Sequence, residues 1–363
     1  MPPFQYRWEQ LGNPFGPGRW SSSMVLNGND EPLLASVSGD LLNSNGVVHR
    51  WHGNSWSQLG GNVSNHLPNF THAIAIEAGG KNPSVATSWY TGPSLNMTVS
   101  VQDWTGSWKE LAGPAGISNP RGDDLLVKGQ RRVVAITEAA ANLRTSKVQV
   151  HLWNGAQWRQ LGPALPAGAS YSGSSPSLAY DAQGEIVIAL ERSKGVPDDS
   201  QIVAYRWSNN AWRMIGSAFK APSSYPWLAV GSGGDMAIAF SVHRGFATNS
   251  IRCAVWDGAH WKVTPTVSQR SGWRYSLDVE ADGSPVLAWE NPSSSPQRIE
   301  VSWWNGSGWL TFSPAQGTGD SSAPLIKTAS TDLPVVAWSE GDLSIFEGPD
   351  WSRRLKGARL VPA

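Results

Sequence analysis

Four glutamates, Glu138, Glu191, Glu290 and Glu340, recur close behind an alanine in short apolar runs such as Ile186 to Leu190. Carboxylates presented in this way from several segments could form general acid and base pairs or surround a cation. Solvated strand ends would explain them equally well. Around them, unpatterned aromatic and charged residues stand in Gly-, Pro- and Ser-rich stretches: Arg19 and Trp20, Phe70, Arg121 and Asp123, Tyr171, Tyr225 and Trp227, and Arg270 and Trp273. Rings beside carboxylates and guanidinium groups suit a sugar, because the ring covers an apolar face while the polar groups read hydroxyls. Trp20, Trp89, Arg121, Glu191, Arg192, Tyr225, Trp227, Trp273, Trp289, Glu290 and Glu340 are the candidate ligand-binding residues. For any one of them, packing is the plainer reading.

Other chemistry is thin. The seven histidines show no metal-ligand spacing such as H-E-x-x-H, so no metal and no cofactor is expected, and no residue is assigned a catalytic role. The single Cys253 alternates with Ile251 and Val255 and reads as an inert buried thiol; alone, it can form no intrachain disulfide. Arg121-Gly-Asp123 reads as an ordinary turn, and the sequons at Asn62, Asn69, Asn96 and Asn305 are expected by chance in an Asn- and Ser-rich chain. The 28 basic and 28 acidic residues cancel, which disfavours nucleic acid as a partner. No apolar run approaches the ~18 residues of a membrane span, and Met1 to Gln5 lacks the features of an export signal. The expectation is a soluble chain whose compartment stays open, extracellular if a signal has been removed.

The elements that would position these residues follow from tryptophan. Of its 21 copies, most fall into register with Trp153-Asn-Gly-Ala-Gln-Trp158-Arg-Gln-Leu-Gly162: Trp51/Trp56, Trp207/Trp212, Trp256/Trp261 and Trp304/Trp309 repeat the spacing, and Trp104/Trp108 is one residue shorter. Phe346 and Trp351 read as a degenerate last copy. An independent marker, an apolar strand with a fixed alanine, recurs at Ala35, Ala86, Ala135, Ala189, Ala239, Ala288 and Ala337, at intervals of 49 to 54 residues. A period near 50 falls in the range of propeller blades, each a four-stranded antiparallel sheet. The 38 Gly and 25 Pro suit many short strands joined by turns.

In the fourth copy the strands read as Ser177 to Tyr180, Ile186 to Leu190, Ile202 to Trp207 and Trp212 to Ile215, with turns at Asp181 to Gly184 and Ser208 to Asn210. The second strand is apolar on both faces, as a strand between neighbouring blades must be. The paired tryptophans belong to blade packing at the outer edge. The expected fold is therefore all-β, a single domain over residues 1–363 forming a seven-bladed β-propeller. Trp8 matches the second Trp of the unit but precedes the first full repeat, so an N-terminal outer strand is expected to close the ring. Trp351 to Leu355 is a competing outer strand for the last blade.

Turns after first and third strands are short; the other two connections are long and differ in every blade. Variable loops on a rigid frame share one face and are the expected place for recognition. The Trp-Asn-Gly-Ala-Gln-Trp unit at Trp153 to Trp158, echoed at Trp304 to Trp309, resembles the repeats of tectonin-type and other propeller lectins. That resemblance implies carbohydrate binding or a scaffold role and carries over no site residue. The expected function is non-catalytic recognition of glycans through the loop face. Two rivals are a polysaccharide-acting lyase or glycoside hydrolase using the same face, and a scaffold that binds another protein there.

Overall fold

The computed structural model describes all residues except 1–4, 13–14, 18–19, 39–43, 67–68, 78, 92–95, 118–119, 140–145, 168–175, 193–199, 218, 220–221, 244–248, 272–273 and 342–353. Seven antiparallel sheets form a propeller, and no α-helix occurs among the described residues. Blades 1 to 7 start with the inner strands Trp20–Leu26, Asn69–Ala75, Pro120–Lys128, Ser177–Tyr180, Ser223–Val230, Tyr275–Val279 and Asp320–Thr328. Blade 4 continues through Ile186–Arg192, Gln201–Ser208 and Ala211–Met214, within two residues of the boundaries read from alternation.

The chain enters the ring through its last blade. Tyr6–Gln10 pairs antiparallel with Arg354–Pro362, from Tyr6 opposite Pro362 to Gln10 opposite Ala358, and becomes the fourth strand of blade 7. This corrects the competing assignment: Leu355 lies in the third strand, opposite Ser339, and is not part of an outer strand. The misleading cue came from Phe346 and Trp351, which fall outside the described residues. Leu360 stands opposite Trp8, where other blades place the first tryptophan of the pair, so blade 7 lacks half of the repeat's marker.

Three tiers of contact join the blades. The seven marker alanines are 0–1% exposed and let second strands sit against neighbouring sheets without a gap. Along the inner strands, side chains accept the next blade's amides: Asp124 Oδ2 from Leu178 N–H at 2.7 Å, Ser177 Oγ from Leu228 at 3.1 Å, and Ser276 Oγ from Ile326 at 3.1 Å. At the rim, all seven fourth-strand tryptophans donate their indole N–H to a carbonyl of the preceding blade. Trp56 reaches Leu11 O (2.9 Å), Trp108 Leu59 O (3.1 Å), Trp212 Leu161 O (2.7 Å), Trp261 Ile215 O (3.0 Å) and Trp309 Pro265 O (2.9 Å). Trp158 reaches Ala112 O, and Trp8 closes the ring on Phe312 O at 2.9 Å.

The Leu-Gly that ends the repeat now has a reason. Gly12, Gly60, Gly162 and Gly216 all have φ between +63° and +70°. A Cβ on Gly60, Gly162 or Gly216 would come within 2.6 Å of a tryptophan ring of the next blade, and at Gly12 within 3.0 Å. Only glycine both adopts that backbone and leaves room for the indole.

Candidate functional site

The inner strands surround a central cavity of about 740 Å³ whose wall includes Ser23, Asp124, Ser177, Trp227, Ser276 and Lys327. Trp227 packs against the cluster around Tyr275 and Leu277 beside its own blade and also against the Met24 and Leu325 cluster of blades 1 and 7. Its indole therefore spans the lumen. Asp124 is partly open to that lumen but shielded from bulk water, and burial pushes its carboxyl up to about 6 against the pull of two backbone amides.

Above this level, five inner strands carry a register shift, at Ser21/Ser23, Thr71/Ala73, Gly122/Asp124, Ser224/Trp227 and Ser322/Leu325. In blades 5 and 7 a residue within the shift takes a left-handed conformation although it carries a Cβ, Tyr225 at φ +55° and Ala323 at +52°. Each is held by a glutamate of the preceding blade. Glu290 Oε1 accepts the Ala323 amide at 2.9 Å, and Glu191 accepts the amide of Tyr225. Carboxylate clips thus fix two backbone conformations that cost on the order of 1–2 kcal/mol each for a residue with a Cβ.

The two clips differ in what they leave over. Glu191 is 2% exposed, and its Oε2 has no hydrogen-bond partner among the described residues. Burial raises its carboxyl to about 7, and the Tyr225 amide only partly offsets this. Beside it the buried Tyr275 hydroxyl donates to Tyr225 O, and burial raises that phenol well above its usual value. Among the described residues, the candidates Glu191, Tyr225 and Trp227, with Tyr275, are brought together on blades 4 to 6. Arg192 is not part of that group: it follows Glu191 on the same strand and so takes the opposite face, where its Nη2 lies 3.4 Å from Oε1 of Gln201, its cross-strand neighbour. Sequence reasoning missed Tyr275, although it stands 50 residues after Tyr225, one repeat later.

The other candidates disperse. Trp289 is 7% exposed and donates to Ser302 Oγ at 3.1 Å; Trp89 is 7% exposed beneath the His66 imidazole, at a centroid distance of 3.9 Å and 4° between planes. Glu290 belongs to the second clip. Glu340 binds Lys356 Nζ at 2.8 Å and the Gly317 amide at 3.1 Å, and Glu138 pairs with Lys147 at 3.1 Å. The recurrent glutamates thus face separate partners and not a shared centre. Trp20 pairs with Val37 and Arg121 with Thr137 through their backbones, but their side chains, like all of Trp273, lie outside the described residues. No group of three His, Cys, Asp or Glu able to hold a metal occurs among the described residues. Nor is any helix long and apolar enough to cross a membrane. Cys253 is buried, and burial pushes its thiol far up.

No known family profile matches the chain, and no curated protein matches it. Solved structures share the fold. The β-propeller domain of the Trilobed protease from Pyrococcus furiosus, described as having an open velcro topology, superposes with a TM-score of 0.55 at 11% identity over 94% of each chain. The α-L-arabinofuranosidase Arb93A from Fusarium graminearum gives 0.53 at 10% identity, covering 99% of this chain and 98% of that one. The polysaccharide lyase Uly1 gives 0.55 at 10% identity, covering 98% and 92%.

Proposed function

We propose that this propeller recognises carbohydrate on its loop face, above blades 4 and 5, with Glu191 as the hydrogen-bonding carboxyl and Tyr225 as the adjoining aromatic. The observation that carries the reading is the contrast between two equivalent clips. In one, the left-handed residue is a small alanine. In the other it is a tyrosine, beside a buried carboxyl oxygen that no described group uses. A buried polar atom left unpaired costs about 1–3 kcal/mol, and a ligand hydroxyl would relieve that cost. Fold neighbours that include an arabinofuranosidase and a polysaccharide lyase support carbohydrate as the ligand class, and they transfer no residue at this level of identity.

A glycan array with the purified chain tests this. Binding to a subset of glycans, lost in Glu191→Gln, is expected; no binding to any glycan overturns the reading. One observation favours a second reading. With its carboxyl at about 7, Glu191 holds a proton near neutral pH, as a general acid in glycoside cleavage must. Release of reducing ends from an arabinan or other polysaccharide, abolished in Glu191→Gln, would establish that reading instead. Capture of a protein ligand without any glycan binding would establish the scaffold.

A further inference from the structure

Between blades 1 and 2 the rim opens into a second cavity of about 560 Å³, walled by Gly60 to His66 on one side and by Gln102, Trp104, Trp108 and Glu110 on the other. The third and fourth strands of blade 2 place these last four on one face, since Trp108 stands opposite Trp104 and Glu110 opposite Gln102. Between blades 3 and 4 and between blades 4 and 5 the corresponding space is packed. Leu165 joins the cluster that takes in Tyr205 and Trp207, and Phe219 lies 6.2 Å from Trp261 and 4.7 Å from Phe240. In the groove between blades 1 and 2 the smaller Val63 performs that task, and the groove stays open.

The chemistry of the walls narrows what fits. His66 lies flat on Trp89 and brings Nε2 to 3.3 Å from Glu110 Oε2. These are the only two ionisable side chains among the described lining residues, and the imidazole holds one carboxylate oxygen. With no Lys or Arg there, an acidic ligand would find no fixed opposite charge. What remains is a partly buried indole, Trp104, together with Gln102 and Ser64, which are 2% and 6% exposed. An indole wall offers an apolar plate to ring C–H groups, while amide, hydroxyl and carboxylate groups are directed at hydroxyls.

We propose that the groove between blades 1 and 2 is a binding site for a single uncharged sugar ring, separate from the loop face and standing whether or not Glu191 binds glycan. Gly61 offers a clean obstruction. Gly61 lines the groove and a Cβ there meets nothing within 4 Å, so Gly61→Leu adds bulk at its wall without a clash. The experiment is saturation-transfer NMR on the full chain with D-glucose, D-galactose, D-mannose, L-fucose and N-acetyl-D-glucosamine, each at millimolar concentration. In a Glu191→Gln background, which removes the loop-face carboxyl, the expected result is transfer to at least one of them, with affinity lower by about tenfold or more once Gly61→Leu is added. No transfer to any of the five in that background overturns the proposal. So does transfer that survives the added Gly61→Leu, and transfer seen in wild type but absent in Glu191→Gln places the sugar on the loop face instead.

Discussion

Replacing Gly216 by alanine tests the account of the rim. Its φ of +70° costs an alanine about 1–2 kcal/mol. The added Cβ would lie 2.5 Å from Cδ1 of Trp261 and 3.0 Å from Cζ3 of Trp256, so both rings must tilt. Overpacking of this kind costs about 1–3 kcal/mol, and loosening the Trp261 to Ile215 hydrogen bond adds about 1 kcal/mol. Gly53, in the turn between the third and fourth strands of blade 1, is the control: its φ is +61° and its Cβ would meet nothing within 4 Å. Gly53→Ala therefore carries a comparable backbone strain without the clash. The difference between the variants is expected to be about 2–4 kcal/mol, or about 1 M in urea midpoint at a slope of about 3 kcal/mol per M. Tryptophan fluorescence during urea unfolding measures it. Equal midpoints for the two variants would refute the idea that glycine is there to admit the indole.

Trp212→Phe keeps the ring but leaves Leu161 O without its donor, and a loss of about 1–2 kcal/mol is expected in the same assay. Removing Tyr6 to Gln10 strips the fourth strand from blade 7 and exposes Arg354–Pro362 as an edge; lower stability and concentration-dependent association are expected by size-exclusion chromatography. Glu191 binds a proton more tightly folded than unfolded, so it lowers stability as pH rises from the ordinary carboxylate range through about 7. Relative to wild type, Glu191→Gln should gain stability across that window, read by thermal unfolding at several pH values. His49 and His151 act oppositely. Burial lowers both to about 4, so the stability they confer is present above about 6.5 and is lost as pH falls through about 4; His49→Asn and His151→Asn should flatten that loss.

The frame was legible in the sequence because packing there repeats. Alanine at the blade contact and tryptophan at the rim answer the same requirement seven times, so the period emerges from counting. Trp8 was readable for the same reason. Blade 7 was harder, because Leu360 replaces the tryptophan that marks other third strands. The candidate site was legible only in part. Glu191 and Glu290 look alike in the chain, each two residues after its alanine, and what separates them is the residue that each clips on the next blade. Trp227 reads as an irregular loop aromatic, yet its indole crosses the lumen, a contact between blades 5, 7 and 1 that no local pattern encodes. The groove between blades 1 and 2 depends on Val63 being smaller than Leu165 or Phe219, a difference of volume hidden behind the apolar character that the three positions share.

The closing strand also sets a clock. Glu9 and its ion-pair partner Arg359 are 350 residues apart, and Trp8 finds Phe312 only after 304 more residues have been made. At about 5–20 residues per second, the first strand spends roughly 20–70 s of synthesis with nothing to pair with. During that time six blades can stack in order, each hooked to the one before it by its rim tryptophan. The seam is then sealed by a strand made before any of the blades, which makes completion of the ring a report that Arg354–Pro362 has been made.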